Sequence, residues 1–428
     1  MKTLIRGGRV IDPKSGLDGT YDVLVEGSVI TEISGNIRKI DGKTTVVDAS
    51  GYIVSPGLID VHCHLREPGF EYKETIETGT AAAARGGFTT VVCMANTSPV
   101  NDNRSITEFI IDKARNQGSC KVLPCGAITK GLKSQELAEI GEMFNAGIAA
   151  LSDDGKSVRN AGLLRKALEY AKIFKLPVIS HCEDDTLSEG FVHEGISSLL
   201  NGLEAIPAIA EEIIVQRDIT IARYVDSPIH LTHISTAGSV DIIERAKKIS
   251  KKVTCDTCPH YFTHTDEATL TYDTNTKVNP PLRSSHDVSA IKDGLRNGTI
   301  DIIATDHAPH EHTSKDVEFN LATSGISGFE TAFALSLDLV REGVLDIKDL
   351  LAKMTINPAR MLGLSSGTLA EDAPADIMIF DPDREWTVNR NAFASKGKNT
   401  PFHGMTLRGK TLFTMVDGKI VFDQLKQK

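Results

Sequence analysis

Short apolar runs alternate with polar breaks and amphipathic stretches through the middle of the chain, at spacings of roughly 25 to 50 residues. This alternation is typical of strands and helices that build a parallel sheet. Eight runs predict strands, and eight parallel strands close a TIM (β/α)8 barrel. The predicted strands are Leu58 to His62, Thr89 to Met94, Lys121 to Gly126, Ile148 to Asp153, Pro177 to His181, Ile229 to His233, Lys252 to Asp256 and Asp301 to Asp306.

Amphipathic stretches with helical spacing lie between the predicted strands. A doubly wound open sheet is the alternative architecture, but no glycine-rich dinucleotide-binding motif follows the first strand. The pattern therefore favours the barrel. The clearest predicted helices are Lys73 to Ala84, Leu163 to Phe174, Ala208 to Tyr224 and Val240 to Lys248.

The two ends of the chain have a different texture, with short β-type runs separated by glycine turns. We expect residues 1–54 and 366–428 to pack together as one small β-sandwich domain, and residues 55–365 to form the barrel. The predicted end strands are Thr3 to Ile5, Val23 to Val25, Val29 to Ile33, Thr45 to Val47, Asp376 to Phe380, Thr411 to Val416 and Lys419 to Phe422.

Composition limits the partners and the compartment. A chain of 428 residues is long enough for a barrel and an appended domain. The net charge is −10, and the lysines and arginines are scattered along the chain. Neither nucleic acid nor an anionic membrane is therefore an expected partner. We expect a small-molecule substrate instead. The N-terminus has no apolar run typical of a signal peptide, and no apolar stretch approaches a membrane span, so we expect a cytoplasmic protein.

The seven cysteines are interpreted as reduced residues of the core, because most of them lie in apolar, strand-like runs. Cys255-x-x-Cys258 has the spacing of a redox or zinc pair, but it has no second pair and no thioredoxin-like context.

Candidate metal ligands stand at the ends of the predicted strands, where barrel enzymes hold their active sites. Alternate residues of a strand face the same side, so His62 and His64 can present two imidazoles to one point. Alone, such a pair is as compatible with ordinary core or surface histidines as it is with metal ligands. Together, the strand-end residues supply nitrogen and oxygen ligands for two ions of the zinc type. The remaining members of this set are Asp153-Asp154, His181, His233 and Asp306.

Zinc suits hydrolysis because it polarises a carbonyl and lowers the pKa of a bound water to roughly 7. A hydroxide shared by two such ions needs a nearby base to take the proton and return it to the leaving nitrogen. We expect Asp306 to serve as both ligand and general acid/base. An arginine fork binds carboxylates in bidentate geometry, and Arg66 lies two residues beyond His64.

Motifs along nearly the whole chain resemble those of dihydroorotases of the class I bacterial type, in the amidohydrolase superfamily. The motifs are His62-Cys63-His64-Leu65-Arg66-Glu67-Pro68-Gly69, Cys93-Met94-Ala95-Asn96-Thr97, Ser152-Asp153-Asp154-Gly155, Ser180-His181-Cys182-Glu183-Asp184, Leu231-Thr232-His233-Ile234-Ser235, Pro259-His260, Lys277-Val278-Asn279-Pro280-Pro281-Leu282-Arg283, Ala304-Thr305-Asp306-His307-Ala308-Pro309-His310 and Asn357-Pro358-Ala359.

The resemblance implies reversible, zinc-dependent hydrolysis of L-dihydroorotate to N-carbamoyl-L-aspartate in pyrimidine biosynthesis. It implies two zinc ions per chain, with Asp154 bridging them. The implied zinc ligands are His62, His64, Asp154, His181, His233 and Asp306. The implied substrate contacts are His64, Arg66, Asn96, Asn279, His310, Ser324 and Gly325.

Hydantoinases and allantoinases are the nearest enzymatic alternatives. Many of them bridge their metals with a carbamylated lysine at the end of strand four, where this chain has Asp153-Asp154 and its nearest lysine is Lys156. Allantoinases typically carry asparagine at the position of Arg66. A different alternative is a non-catalytic partner of aspartate transcarbamoylase, but such relatives typically lose metal ligands. Association with that enzyme and a homodimer are both compatible with the resemblance.

The segment Glu311 to Gly328 follows the last strand and is predicted to be a mobile lid. Dihydroorotases usually read Ala-Pro-x-Gly where this chain has Ala322-Thr323-Ser324-Gly325. We expect His260 and His307 to orient the metal ligands.

Overall fold

The computed structural model describes residues 2–38 and 42–425. The strands are β1 (Lys2–Asp12), β2 (Leu17–Glu26), β3 (Val29–Ser34), β4 (Thr45–Asp48), β5 (Ile53–Pro56), β6 (Leu58–Cys63), β7 (Phe88–Cys93), β8 (Lys121–Gly126), β9 (Ala150–Leu151), β10 (Ile179–His181), β11 (Val192–His193), β12 (Ala205–Ile206), β13 (Ile229–Thr232), β14 (Val253–Thr257), β15 (Ile302–Ile303), β16 (Ile377–Thr387), β17 (Thr406–Val416) and β18 (Lys419–Asp423).

The α-helices are α1 (Ile76–Gly86), α2 (Arg104–Gln117), α3 (Ile140–Ala146), α4 (Ala161–Phe174), α5 (Ile196–Asn201), α6 (Ile209–Tyr224), α7 (Ala237–Lys247), α8 (Pro259–Thr263), α9 (Ser285–Asn297), α10 (Phe329–Arg341), α11 (Ile347–Met354) and α12 (Ile356–Leu362). Short 3-10 helices cover Lys130–Leu132, Asp266–Thr271, Thr274–Thr276, His312–Ser314 and Arg390–Ala392.

Local capping explains where helix α1 begins and ends. The side chain of Thr75 accepts a hydrogen bond from the amide of Thr78, and the side chain of Thr78 accepts one from the amide of Thr75. This capping box satisfies two backbone donors at the start of the helix. The helix ends at Gly87, which has a φ of 94° that glycine adopts without steric cost. The helix predicted to begin at Lys73 therefore begins three residues later, at Ile76, because Thr75 is its N-cap.

The central strands form two four-stranded parallel sheets, in the orders β6-β7-β8-β9 and β10-β13-β14-β15. Each of the eight predicted central strands overlaps one of these strands. Parallel bridges link the sheets at both junctions, from Leu151 to Val178 and from Cys63 to His307. Strands β6 and β7 are buried along their whole length, as expected for a parallel sheet whose two faces are both covered. The architecture is therefore α/β.

Both ends of the chain contribute to one eight-stranded sheet, with the order β18-β17-β16-β5-β1-β2-β3 and with β4 also paired to β1. Strands β5 and β16 pair antiparallel and join the two ends. The sheet also curls, because the Ile30 amide donates to the Ala373 carbonyl (3.0 Å) and the Ala375 amide donates to the Ser28 carbonyl (2.8 Å). The predicted end strands all overlap strands of this sheet.

All seven cysteines are buried and have free thiols, as the sequence predicts. Burial raises the pKa of every one of these thiols. Cys255 and Cys258 are therefore not a disulfide, and the Cys255 thiol contacts the Thr299 carbonyl at 3.3 Å. Within residues 2–38 and 42–425, no helix has the length and apolar character needed to cross a bilayer.

Candidate active site

The six predicted metal ligands meet at the carboxyl ends of the parallel strands. Their side chains are all buried, although the segments that carry them are far apart in the chain. His62 lies in β6 and His64 directly follows it, β10 ends at His181, and His233 directly follows β13. Asp154 and Asp306 lie three residues beyond the ends of β9 and β15. The structure therefore brings together His62, His64, Asp154, His181, His233 and Asp306.

The carboxylate of Asp154 lies among four imidazoles. Its Oδ1 atom lies 3.3 Å from His62 Nε2, 3.5 Å from His181 Nδ1 and 3.6 Å from His233 Nε2. Its Oδ2 atom lies 3.5 Å from His64 Nε2. One carboxylate thus faces both histidine pairs, which is the placement that a bridging ligand requires.

Asp306 completes a second group of donor atoms. Its Oδ1 atom lies 3.1 Å from His64 Nε2 and 3.5 Å from His62 Nε2. Two triads, His62 with Asp154 and His233, and His62 with His64 and Asp306, have ligand atoms within 4.8 Å of one another. His62 Nε2 is buried and has no hydrogen-bond partner among residues 2–38 and 42–425. Imidazole nitrogens and carboxylate oxygens are the donors that zinc prefers, so the residues fit a pair of such ions.

Neighbouring polar groups fix the orientation of the ligand imidazoles. His62 Nδ1 lies 2.6 Å from Thr232 Oγ1, and His64 Nδ1 lies 3.0 Å from Asn96 Oδ1. The Asn96 oxygen can only accept, so His64 carries its proton on Nδ1 and leaves the Nε2 lone pair for a metal. Such outer contacts set the tautomer and the ring orientation of a metal-binding histidine.

Two buried aspartates hold the ligand-bearing strand ends in place. Asp60 Oδ1 accepts hydrogen bonds from the Thr305 amide (2.9 Å) and the His62 amide (3.3 Å), which ties β6 to the segment before Asp306. Asp153 accepts from the amides of Ile128 (2.8 Å) and Thr129 (2.9 Å). Burial raises the pKa of Asp60 to about 7 and that of Asp153 to about 6, against these hydrogen bonds.

The predicted ligands shift one another's pKa values. Burial opposes protonation of His62, but the charges of Asp154 and Asp306 outweigh it and raise its pKa to about 9. Burial likewise opposes ionisation of Asp154 and Asp306, but the surrounding histidines lower the pKa of both carboxyls. A bound cation would displace these protons, so its binding and deprotonation of the imidazoles are coupled.

A cavity of about 200 Å³ opens over these ligands. Every residue predicted to contact substrate lines it. The lining residues are His64, Arg66, Asn96, Asp154, Gly155, His181, His233, Asn279, Asp306, Ala308, His310, Ser324 and Gly325. Sequence reasoning assigned no role to Gly155 and Ala308. Lys156, the candidate carbamylated lysine, is exposed and is not among the lining residues.

Arg66 brings a half-buried cation to the cavity. Its Nε atom donates to the Pro309 carbonyl at 3.2 Å, and its Nη2 atom lies 3.3 Å from His310 Nε2. Burial lowers the pKa of Arg66, but a guanidinium stays charged in proteins. Within the described part of the chain, the guanidinium forms no ion pair with a carboxylate. The residue also has a φ of 64°, which is strained for a side chain other than glycine or asparagine.

His310 adjoins Arg66 and is neutral. Burial and the charge of Arg66 lower the pKa of His310 to about 2. Its Nε2 atom donates to the Ser324 carbonyl at 2.8 Å, which connects the cavity wall to the segment predicted as a lid.

The segment 311–328 is tied to the residues before Asn279. Lys315 Nζ donates to the Thr274 carbonyl (2.9 Å), Lys277 Nζ donates to the Phe319 carbonyl (2.9 Å), and the Gly325 amide donates to the Lys277 carbonyl (2.9 Å). These contacts hold Ser324 and Gly325 at the cavity without the usual proline. Movement of this segment as a lid stays a prediction.

The two histidines that were expected to orient ligands have different surroundings. His307 Nδ1 accepts from the Gly328 amide at 3.1 Å, and its Nε2 atom lies 3.4 Å from Glu74 Oε2. His307, the residue after Asp306, is therefore tied to the segments that directly precede α1 and α10. His260 is buried against Tyr261, with ring centroids 4.2 Å apart, and its orienting role stays a prediction.

Comparisons with known proteins agree with this arrangement. A family model described as dihydro-orotase-like matches residues 51–239, and one described as the amidohydrolase family matches residues 233–422. The dihydroorotase of Acetivibrio thermocellus is 53% identical over 420 residues, covering 98% of both chains. The dihydroorotase of Geotalea daltonii is 53% identical over 422 residues, covering 98% of this chain and 99% of its own.

Solved structures show the same fold at lower identity. The dihydropyrimidinase from Brevibacillus agri superposes with a TM-score of 0.87 at 24% identity, covering 99% of this chain and 96% of its own. The L-hydantoinase from Arthrobacter aurescens superposes with a TM-score of 0.88 at 23% identity and the same coverage. At these identities the likeness concerns the fold alone.

Proposed function

The chain belongs to the dihydroorotase family and is a hydrolase, and from that premise we propose that it interconverts L-dihydroorotate and N-carbamoyl-L-aspartate with two zinc ions. The observation that carries the proposal is Arg66. Among the described residues its half-buried guanidinium forms no ion pair with a carboxylate, and Arg66 lines the same cavity as the predicted metal ligands. Dihydroorotate brings a carboxylate on its ring beside the amide to be opened, and so it supplies the missing anion.

The ligands divide into two groups that share Asp154. His62, His64 and Asp306 would hold one ion, and His181 and His233 would hold the other. When bound, such a pair polarises the amide carbonyl and makes water acidic enough to attack at neutral pH.

Asp306 is the proposed proton carrier. In the hydrolytic direction, water adds to the ring carbonyl carbon and the C–N bond of the amide breaks. Asp306 accepts the proton of the water and returns it to the leaving ring nitrogen, so the carboxylate ends the cycle unchanged. The histidines around it lower its pKa, so the carboxyl is ionised at neutral pH, which is the form that can accept a proton.

The walls of the cavity orient the substrate. Arg66, Asn96 and His310 surround the place for its carboxylate, while Asn279, Ser324, Gly325 and His64 offer contacts to the ring. Hydantoinase or allantoinase activity is the alternative. It is disfavoured because Lys156 is exposed and because Arg66 stands where allantoinases typically have asparagine.

We further propose that the eight central strands close into a barrel covering residues 55–365, supported by the bridges at both sheet junctions. The curled end sheet, from residues 1–54 and 366–428, is proposed to be a β-sandwich, because its apolar cluster joins residues of strands that are not neighbours, such as Val23 and Phe413. Seven free, buried thiols support a reducing, cytoplasmic location.

A homodimer and association with aspartate transcarbamoylase stay predictions from the family resemblance. The mass of the purified protein in solution, alone and mixed with that enzyme, tests both.

The proposed activity is tested with purified, zinc-supplied protein. We expect about two zinc ions per chain. We also expect turnover of L-dihydroorotate, which is monitored by the loss of its ultraviolet absorbance, and little turnover of hydantoin or allantoin. Asp306→Ala should abolish turnover, whereas the control Asp316→Ala, at an exposed carboxylate of the 311–328 segment, should not. Zinc-loaded wild type that opens hydantoin or allantoin but not dihydroorotate would refute the substrate assignment.

A further inference from the structure

One oxygen of Glu183 contacts two residues of the site at once. Glu183 Oε2 lies 3.2 Å from His181 Nε2 and 3.1 Å from Asn279 Nδ2. The Glu183 side chain is 15% exposed. Its backbone is fixed as well, because its amide donates to Ser157 Oγ (2.9 Å), which in turn donates to the His181 carbonyl (2.6 Å). The carboxylate is therefore held between a proposed metal ligand and a proposed substrate contact.

At His181, this contact determines which ring nitrogen is available to a metal. An ionised carboxylate only accepts hydrogen bonds, so His181 carries a proton on Nε2. The other nitrogen, Nδ1, is the one that faces Asp154 Oδ1 at 3.5 Å. A carboxylate that accepts from the outer nitrogen fixes the tautomer and raises the basicity of the coordinating nitrogen.

At Asn279, the same oxygen determines the orientation of the carboxamide. Amide nitrogen and oxygen are assigned from their partners, and beside a carboxylate the nitrogen must be the donor. The amide oxygen of Asn279 is then left to accept a hydrogen bond from a ligand in the cavity that Asn279 lines. A cyclic amide offers such a donor in its ring N–H group.

We propose that Glu183 is a positioning residue that orients His181 toward the metal and Asn279 toward the substrate at the same time. This inference rests on the proposed function and deepens it, because it links metal binding to recognition of the cyclic amide. Glu183 is not itself among the residues that line the cavity, and it acts through its two partners, which both line it.

The test separates the two partners with four variants and a control. The variants are E183Q, E183A, N279A and the double variant E183A/N279A. The control is E189Q, at an exposed carboxylate of the same segment. Zinc affinity is measured without substrate, by competition with a chromogenic chelator, and kcat and KM are measured for L-dihydroorotate.

We expect E183A to weaken zinc binding roughly 10- to 100-fold, as is usual when an outer partner of a metal ligand is removed. E183Q should weaken it less, because its amide oxygen still accepts from both partners, and N279A should leave zinc affinity unchanged. E183A should raise KM in the wild-type background but not in the N279A background, since the route to the substrate is then already lost. E189Q should match wild type in every measurement.

The proposal is overturned if E183A binds zinc as tightly as wild type, or if the KM factors of E183A and N279A simply multiply in the double variant. If E183A does not fold, E183Q and E183Q/N279A give the same comparison with smaller factors. A wild type that does not turn over dihydroorotate refutes the proposed function, and the Asn279 half of the inference falls with it. The zinc competition uses no substrate and still decides the His181 half.

Discussion

Replacing Arg66 with asparagine should remove recognition of the substrate carboxylate. A bidentate guanidinium contact makes two charge-assisted hydrogen bonds, each worth about 1.5–3 kcal/mol, and asparagine returns one such bond to the carboxylate. The net loss is about 1.5–3 kcal/mol, or roughly 10- to 140-fold, at about 1.4 kcal/mol for each factor of ten. Because the contact is made in both the ground state and the transition state, the loss should appear mainly in KM.

The same substitution should not destabilise the metal-free protein. Arg66 has a φ of 64°, and asparagine adopts this left-handed region more readily than arginine does. Relief of part of this strain contributes on the order of 1 kcal/mol, and the substitution also removes a half-buried guanidinium that forms no ion pair within the described chain. We therefore expect the variant to unfold at or above the wild-type temperature while it loses substrate affinity.

The assay compares initial rates on L-dihydroorotate and on its methyl ester, which lacks the carboxylate charge. The ratio of kcat/KM for acid over ester should fall by the factor given above in Arg66→Asn. It should not change in Arg165→Asn, which replaces an exposed arginine on α4. An equal loss on acid and ester, or an unchanged KM for the acid, would refute the assignment of Arg66 to the carboxylate.

Three further predictions follow from the site and its surroundings. Asp306→Asn should lower kcat at least about 100-fold, as expected for loss of a general acid/base, and a variant with wild-type kcat would exclude Asp306 as the proton carrier. Lys156→Met should leave zinc content and kcat unchanged, because this lysine is exposed; loss of a metal ion would instead support a carbamylated lysine ligand. Burial lowers the pKa of Lys315 from its ordinary 10.5 to about 7. Between pH 7 and pH 10.5 the lysine is therefore protonated in the unfolded chain but not in the folded one. Because the unfolded state binds more protons, the contribution of Lys315 to stability rises with pH in this range. Lys315→Met should therefore flatten the rise in the free energy of unfolding between pH 7 and pH 9.5, measured by urea denaturation. An unchanged slope would contradict a lowered pKa of Lys315.

The central strands could be located from the sequence because each is a compact apolar run followed by a polar break. Strand β8 begins and ends where the pattern places it, at Lys121 and Gly126. Strands β9 and β15 have only two residues each, shorter than predicted. Beyond β9, Asp153 accepts from the amides of residues 128 and 129, and beyond β15, Asp306 adopts a φ of 43°, so regular pairing ends before the ligands.

Residues that support the ligands were harder to find from one sequence. Asp60 acts through Thr305, which lies 245 residues further along the chain, and Glu183 acts through Asn279, which lies 96 residues further along. Neither spacing leaves a periodic signal. Candidate ligands and substrate contacts could be predicted because they lie in motifs shared with a family, whereas these supporting contacts depend on side-chain geometry across segments.

The buried thiols make the protein a convenient background for site-specific labelling. Thiol reagents attack the thiolate, and all seven native cysteines combine burial with a raised pKa, so they should react slowly with a maleimide dye. A single cysteine introduced at the exposed Val317 would then be the fast-reacting position. The fluorescence of a dye attached there could report movement of the 311–328 segment during turnover, without removal of any native cysteine.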